Sequence, residues 1–356
     1  MKTVLIYALL FFSTLFAAEP HLDKYQHTLS STLLAERLQK YLIKDPQLKE
    51  YYELTDKTFT FYSSPVEKSP EFILHLIQKS ESERKLTGKK IALDPGHCGG
   101  CYKYLEQRFI ENGEHKFDEG TLTFLTALHL KDLLEREGAT VLLTREGIGK
   151  GAYPESFEQW LVHNPEYLYN NLPPSQIFRK YYNPLDMCAR AEKINQFEPD
   201  FSLILHFNAH STDDKNFNLV FIPGAFKKEE LLNREERYEF LRLLFSGDLE
   251  LSEALSENIA QAMVEKLTVP LVTSEDLVTY LPSVALEIKP GVYARNLCLT
   301  RKIHSPLCYG ESLIQNYPEE CRKLATLDTE IHGIPCSSRL KEVAEAYFLG
   351  IKNSVS

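Results

Sequence analysis

From Ile91 onward, short apolar runs alternate with longer amphipathic segments along the chain. The apolar runs are bounded by turn residues, which is typical of strands that are covered on both faces. Their sequences are IALD, TVLLTR, DFSLILH, NLVFIPG and SVALEI. The segments between them are EGTLTFLTALHLKDLLEREG, NPLDMCARAEKINQF and ELSEALSENIAQAMVEKL, of which the first stops at Gly138, a suitable residue just past a helix end. This alternation predicts an α/β fold with a doubly wound, mostly parallel sheet flanked by helices.

Residues 19–88 have a different pattern and are predicted to form a small α+β N-terminal extension. SSTLLAERLQKYLI has leucines at helical spacing, which predicts a helix. KTFTFYSS and EFILHLIQ are strand-like and predict a hairpin across PVEKSP. The charged segment KSESERKLTGKK (79–90) is predicted to be a linker to the main domain, residues 89–356.

The first residues, MKTVLIYALLFFSTLFAAEP, have the pattern of a secretory signal peptide over 1–18. Lys2 supplies the positive charge, an apolar run follows, and small residues precede the expected cleavage near Ala18. The alternative is a membrane anchor, but the apolar run is shorter than the roughly 20 residues of a spanning helix. We therefore predict a periplasmic or secreted protein with no stable membrane anchor after signal removal.

The charge balance narrows the classes of partner. Lys and Arg number 40 and Asp and Glu 50, for a formal net charge of −10. A nucleic-acid binder needs a basic footprint, so we expect no nucleic-acid partner.

Export also changes the interpretation of the seven cysteines, because disulfides are the default in an oxidising compartment. Their odd number leaves at least one thiol unpaired in a monomer, and we take Cys188 as a buried free thiol. The C-terminal cysteines are close in sequence and are predicted to form local disulfides among Cys298, Cys308, Cys321 and Cys336. Cys98 and Cys101 flank a turn next to a histidine, so metal ligands, a redox pair and a disulfide are all alternatives there.

Three predicted strands end in residues that can do chemistry: His97, His206 and Glu287. Open α/β sheets bind ligands beyond the carboxyl ends of their strands, so these residues can converge. Glu119 is a fourth candidate, at the start of a helix with Asp118 as N-cap, although a carboxylate there also simply complements the helix dipole. Each histidine alone could be a structural one. Two histidines and a carboxylate with an open fourth position would make a catalytic zinc site.

The sequence around these residues resembles the zinc-dependent N-acetylmuramoyl-L-alanine amidases of the Amidase 3 type. The resemblance covers residue 90 to about 290 and rests on IALDPGH, Glu119, VLLTR, ARAEKIN, FSLILHFNA and SVALEI, in that order. It implies one Zn²⁺ per chain, held by His97, Glu119 and His206, with Glu287 as the catalytic carboxylate. It also implies peptidoglycan as substrate, cleaved at the amide between N-acetylmuramic acid and L-alanine.

Three further polar residues belong to the same motifs. Arg190 and Asn208 match an arginine and an asparagine of the family, and we interpret both as structural or orienting residues, since metal sites need such partners. His210 follows His206 by four residues, but a strand running into a loop need not place both on one face. We therefore predict that His210 contacts the substrate and is not a metal ligand.

The sequence departs from the family pattern at the loop and at three insertions. Cys98 replaces a glycine, and we predict a Cys98–Cys101 disulfide that fixes the loop. The insertion 147–184 is aromatic and lines the substrate groove or packs on its own domain. The insertion 290–338 has the four C-terminal cysteines; Lys289 or Arg295 near its start could bind a peptide carboxylate, or the loop is structural.

The third insertion, 225–248, predicts a glutamate-rich amphipathic helix. Some relatives in the family have an inhibitory helix near this place, so we hypothesise a gating helix that a protein activator displaces. The candidate gating glutamates are Glu229, Glu230, Glu235 and Glu236. The alternative is a solvated surface helix.

Two other functions are compatible with the sequence. One is a zinc hydrolase of the same fold that acts on another amide or peptide. The other is a catalytically silent protein that binds the cell wall.

Overall fold

The computed structural model describes residues 22–76, 87–170, 172–212, 214–273, 276, 278 and 280–355. The predicted signal peptide (1–18) lies outside the described residues, as does 79–86 of the predicted linker. No helix among the described residues has both the length and the apolar character needed to cross a membrane.

The strands of the described chain form one large sheet and three small ones. In chain order they are β1 (Tyr52–Leu54), β2 (Thr58–Tyr62), β3 (Pro70–His75), β4 (Lys90–Pro95), β5 (Phe109–Asn112), β6 (His115–Asp118), β7 (Thr140–Leu143), β8 (Phe201–Asn208), β9 (Leu219–Ile222), β10 (Ala285–Lys289), β11 (Val292–Arg295), β12 (Leu307–Ile314), β13 (Thr329–Ile331) and β14 (Ile334–Cys336).

The helices lie mostly between these strands. They are α1 (Ser31–Arg37), α2 (Lys103–Glu106), α3 (Glu119–Arg136), α4 (Phe157–His163), α5 (Pro174–Ile177), α6 (Asn183–Phe197), α7 (Arg234–Phe245), α8 (Asp248–Leu267), α9 (Leu281–Val284), α10 (Cys298–Lys302), α11 (Pro318–Ala325) and α12 (Ser338–Ser354). Short 3₁₀ or π turns occupy Asp23–Tyr25, Leu38–Leu42, Pro46–Tyr51, Gly100–Tyr102, Pro165–Asn170, Phe178–Tyr182 and Lys228–Leu232.

The large sheet has the order β10-β11-β9-β12-β8-β4-β7. The strands β12, β8, β4 and β7 are parallel to one another, and β11 is parallel to β9, whereas β9 runs antiparallel to β12 and β10 antiparallel to β11. Apolar residues of α3, α8 and α12 pack into the main core against this sheet, and α6 and α10 pack against Ala92 and Ile204 on the other face. The predicted doubly wound, mostly parallel sheet flanked by helices is confirmed.

One predicted strand is shorter than expected, and one predicted insertion contributes strands to the large sheet. Of the SVALEI run, Ala285 and the residues after it lie in β10, an edge strand, whereas Ser283 and Val284 belong to α9. The segment 290–338, predicted as an insertion, supplies β11 and the central strand β12. Its cysteines suggested a disulfide-bonded loop, but Cys308 is a small buried residue of β12 and packs in the core.

The N-terminal extension contains α1 and a three-stranded antiparallel sheet, in which β2 and β3 form the predicted hairpin. Its apolar side chains belong to the same core as those of the main sheet. The rings of Phe59 and Phe245 lie edge to face at 5.6 Å, and Arg37 pairs with Glu250 of α8 at 2.7 Å. The extension is therefore packed into the main domain.

The predicted gating segment 225–248 forms the turn Lys228–Leu232 and α7, and the apolar residues of α7 are packed in the core. Phe240, Leu244 and Phe245 are buried between the extension and the rest of the core. Among the contacts described for its glutamates, Glu235 pairs with Lys302 at 3.2 Å and Glu236 with Arg301 at 3.4 Å. These partners belong to α10, so the glutamates of α7 neutralise α10 and do not contact the histidines of the predicted metal site.

None of the predicted disulfides is present, since all seven cysteines are free. The Cys98 sulfur faces Asp186 and Arg190, whereas the Cys101 thiol points to the carbonyl of Gly149 at 3.8 Å. The loop is fixed by hydrogen bonds instead. Cys188, predicted to be buried, is exposed next to Cys298, because it lies on the outer surface of α6.

The aromatic segment 147–184 packs on its own domain. Phe157, Trp160, Phe178 and Tyr182 are buried together with Tyr102 of the loop that follows His97. The alternatives were that this segment lines the substrate groove or packs on its own domain. Its buried rings show packing on its own domain.

Candidate metal centre and active site

The loop after β4 presents His97 in a fixed conformation. His97 has φ 56°, in the left-handed region that non-glycine residues rarely adopt. Arg145 and Arg190 hold the carbonyls around it: Arg190 donates to Pro95 O at 2.7 Å and to His97 O at 3.0 Å, and Arg145 to Pro95 O at 2.9 Å. Five guanidinium donors suit such a set of carbonyls. The strained turn is thus held by two buried arginines.

Glu119 is placed by the start of α3. Asp118 is the N-cap, and its carboxylate accepts a hydrogen bond from the Thr121 N–H at 2.8 Å. Glu119 is the first helical residue, where the helix dipole favours a negative charge. Its side chain is buried and points to the histidines.

His206 completes the cluster from β8. Its Nδ1 lies 2.8 Å from Glu119 Oε1, and His97 Nε2 lies 3.3 Å from Glu119 Oε2. One potential ligand atom from each of the three residues lies within 4.8 Å of the others, close enough to hold one metal ion. Ligands of a tetrahedral zinc ion with bonds of about 2.05 Å are roughly 3.3 Å apart, so the donors fit this ion in kind, and the separation between His97 and Glu119 matches that spacing. His97 keeps 21% of its side chain exposed, which leaves an open side.

The charges of the cluster compensate one another. Burial alone raises the pKa of Glu119, but His97 and His206 hold it well below its ordinary value. Burial lowers the pKa of His97, yet the carboxylates of Glu119 and Glu106 together raise it to about 9. Burial lowers the pKa of His206.

Glu106 supports His97 from behind, a role that no sequence motif predicted. Its carboxylate accepts hydrogen bonds from the N–H groups of Cys98 at 2.8 Å and Gly99 at 3.0 Å. Its Oε1 lies 3.5 Å from His97 Nδ1, the nitrogen that faces away from Glu119. A carboxylate on the second nitrogen of a ligating histidine orients the ring.

A third carboxylate, beside those of Glu119 and Glu106, faces the cluster from the neighbouring strand. Glu311 of β12 lies opposite His206 in the parallel register, so both side chains are on the same face of the sheet. Tyr309, two residues earlier, stacks on the His206 ring at 4.8 Å. Burial and the charge of Glu119 raise the pKa of Glu311, which His97 and Arg295 partly oppose, to about 8. Glu311 is therefore the carboxylate that the fold brings to the cluster.

Glu287, predicted as the catalytic carboxylate, is not brought to the cluster. It is exposed on the edge strand β10, where it pairs with Tyr293. Four strand spacings separate β10 from β8, or about 19 Å at 4.8 Å each. Both glutamates follow short apolar runs, and the signal for Glu311 was a charged residue within PLCYGESLI. The sequence pattern alone does not show which of these strands adjoins β8.

The other predicted residues lie around the cluster without joining it. Arg190 is buried and pairs with Asp94 at 3.1 Å and Asp186 at 2.7 Å. Asn208 Oδ1 accepts from the Ala209 N–H at 2.8 Å, and the His210 N–H donates to Asn316 Oδ1 at 2.9 Å. These contacts shape the loop after β8.

Gly96 leaves the space that His206 needs. A Cβ at this position would lie 2.2 Å from Cε1 and Nε2 of the His206 ring. We expect Gly96→Ala to displace the ring and to lower metal affinity by at least about tenfold, since ring orientation sets affinity.

Zinc titration with a competing chelator measures this effect. Gly247→Ala is the matched control, because nothing lies within 4 Å of its added Cβ. Equal zinc affinity in the two variants would show that the ring does not depend on this glycine.

Comparison with known proteins decides the family. The sequence model of the Amidase_3 family, N-acetylmuramoyl-L-alanine amidase, matches residues 91–333. The chain belongs to the Amidase_3 family. This match contains all three residues of the cluster and Glu311, and it extends past Glu287 to include β12.

Curated relatives match the Amidase_3 chain over a short segment. The "Probable cell wall amidase LytH" of Staphylococcus saprophyticus is 44% identical over 68 residues, which is 19% of this chain and 22% of that protein. The protein of the same name from Staphylococcus aureus is 41% identical over 66 residues, 18% of this chain and 21% of that one. The chain thus spans about a fifth of the length of the curated relatives it matches.

Solved structures match over a larger part of this Amidase_3 chain. The CwlD amidase from Clostridioides difficile, in complex with the GerS lipoprotein, has a TM-score of 0.47 and 19% identity, covering 75% of this chain and 98% of that one. The amidase Ami1 from Mycobacterium smegmatis has a TM-score of 0.46 and 15% identity, covering 76% and 98%.

Proposed function

We propose that the protein is an exported zinc hydrolase that cleaves the amide between N-acetylmuramic acid and L-alanine in peptidoglycan. Membership of the Amidase_3 family supports the reaction. The observation that carries the proposal is the position of Glu311, in register with His206 and beside a His-Glu-His cluster with an open side.

His97, Glu119 and His206 would hold the metal ion. Their donors, two imidazoles and a carboxylate, are a set that zinc uses in hydrolases. When bound, zinc supplies a Lewis acid that polarises the scissile carbonyl and lowers the pKa of water. Glu106 keeps the His97 ring in the orientation that presents Nε2 to the cluster.

Glu311 would move the proton, in the role first assigned to Glu287. Its carboxylate is half-buried on the face that carries His206. A general base takes a proton from the attacking water, and the same group then gives it to the departing amine of L-alanine. The surroundings of a carboxyl group set its pKa. The pKa of Glu311, raised to about 8, allows this group both to accept and to donate a proton near neutral pH.

The setting follows from the substrate. Peptidoglycan lies outside the cytoplasmic membrane, so a periplasmic or secreted location belongs to the proposal. A protein activator also belongs to the proposal, although the buried apolar residues of α7 do not support displacement of this helix.

Digestion of intact muropeptides tests the function. Residues 19–356 are incubated with substrate and zinc, and the products are identified by mass spectrometry. We expect a free stem peptide with an N-terminal L-alanine, and no product in the presence of a chelator. Cleavage at another bond would indicate a hydrolase of different specificity, and zinc-loaded protein that binds peptidoglycan without turnover would contradict the proposal.

A further inference from the structure

Arg295, at the end of β11, lacks the carboxylate partner that most of the other buried or half-buried arginines have; Arg145 is the exception among them, and it donates to backbone carbonyls instead. Arg37, Arg190, Arg237, Arg242 and Arg339 each pair with a carboxylate. In the described part of the chain, no carboxylate lies within 4.0 Å of Arg295. An arginine without a counter-charge is notable in a protein whose formal net charge is −10.

Two aromatic rings hold the Arg295 guanidinium in place. Its Cζ lies 5.0 Å from the centre of the Phe221 ring and 5.1 Å from that of Tyr280. The backbone is fixed too, since the Thr300 hydroxyl donates to Arg295 O at 2.8 Å. Stacking uses the faces of the guanidinium and leaves N–H groups at its edge for a planar anion. A side chain fixed in this way loses little entropy when it binds.

The strand register places this group near the reacting centre. Phe221, under the guanidinium, pairs with Tyr309, and Glu311 follows two residues later on the same face. A strand spacing of about 5 Å and a rise of about 3.3 Å per residue put Glu311 roughly 8 Å from Phe221, the residue over whose ring the guanidinium lies. The positive charge of Arg295 is felt at Glu311, where it opposes the rise in pKa caused by burial and Glu119.

A nearby lysine is already neutralised. Lys289 of β10 pairs with Glu253 at 3.3 Å and with Glu257. Of the two cations near the start of the segment that follows Glu287, Arg295 is therefore the one whose charge no described carboxylate neutralises.

We propose that Arg295 binds a carboxylate of the stem peptide, two or three residues from the scissile amide. The distance sets this range, because an extended chain advances about 3.5 Å per residue. The inference rests on the proposed amidase function, and it makes the enzyme selective for acidic stem peptides. The carboxylate can come from the second residue, a glutamate with a free α-carboxyl, or from the side chain of the third.

Synthetic muropeptides separate these sources and test the site. One substrate has both carboxylates free, one is amidated at the second residue, and one is amidated at the third. The wild-type enzyme, Arg295→Gln and the control Lys289→Gln are compared by kcat/KM on each. A charge-assisted bidentate contact corresponds to roughly a ten- to hundredfold effect.

We expect the wild type to prefer the free acid over one amidated substrate by that factor. Arg295→Gln should lose the same factor on the free acid but keep wild-type kcat/KM on that amidated substrate, which also shows that the variant is folded. Lys289→Gln should behave as wild type.

Three results would overturn the inference. Equal kcat/KM of the wild type on all three substrates is one, and an unchanged Arg295→Gln is another. The third is an equal loss on every substrate with a reduced kcat, which would make Arg295 a positioning residue for Glu311. All three need a wild type that cleaves, so they are distinct from failure of the proposed function, in which the wild type cleaves none of the substrates.

Discussion

Glu311→Gln is expected to lower kcat/KM for muropeptide hydrolysis by about 10²–10⁴-fold, the usual contribution of a general acid–base group. The amide keeps the size of the side chain but neither takes up the proton of water nor delivers it to the amine. Since Glu311 is opposite His206 but is not one of the three clustered ligands, zinc binding should persist. The measurement is kinetics on a defined muropeptide, with zinc content determined on the same sample.

Glu287→Gln is the matched control for Glu311→Gln. Glu287 is exposed on the edge strand, so its activity should stay within about twofold of wild type, as for most surface substitutions. The opposite outcome, with Glu287→Gln inactive and Glu311→Gln active, would return the catalytic role to Glu287 and would contradict the strand order of the sheet.

Removal of a metal ligand is expected to have a comparable effect on turnover, through loss of the ion. In His97→Ala, two of the three clustered donors remain. Loss of a mere orienting partner costs about 10–100-fold in metal affinity, so loss of a ligand should cost more than about 100-fold. Zinc content after dialysis and residual hydrolysis, measured side by side, should fall together.

Two variants calibrate this prediction. Glu106→Gln should weaken zinc binding by about 10–100-fold, because Glu106 faces the far nitrogen of His97 without joining the cluster. His163→Ala removes an exposed histidine of α4 and should change neither zinc content nor rate. Full zinc content in His97→Ala would show that the ion is held elsewhere.

The residues of the cluster were accessible from sequence because each has a local signature. His97 and His206 end apolar strands, and Glu119 opens a helix behind its N-cap. Parallel strands end at the same edge of a sheet, so residues that are far apart in sequence lie close together there. Glu106 lacks such a signature, since its role depends on the fold of the loop between Cys98 and α2.

Choosing between the two candidate catalytic carboxylates required the order of the strands, which hydrophobic periodicity does not contain. Glu287 and Glu311 both lie in short apolar segments, and only the pairing of β12 with β8 distinguishes them. The predicted disulfides among the C-terminal cysteines were wrong because sequence spacing also lacks this spatial information. Cys308, Cys321 and Cys336 are buried and act as small apolar residues, so their number and spacing reflect packing rather than cross-links.

The shared core of the N-terminal extension has a consequence for the folding pathway. Arg37 meets Glu250 and Leu244 across more than 200 residues of sequence. Contacts between residues so far apart in sequence form only after a long loop has closed. The entropy lost in this closure is not offset until the contacts are made, so such contacts slow folding. The first described segment of the chain therefore cannot complete its packing until α7 and α8 have been made, and a ribosome-bound fragment that ends before them would expose Phe59 and Phe61 to water.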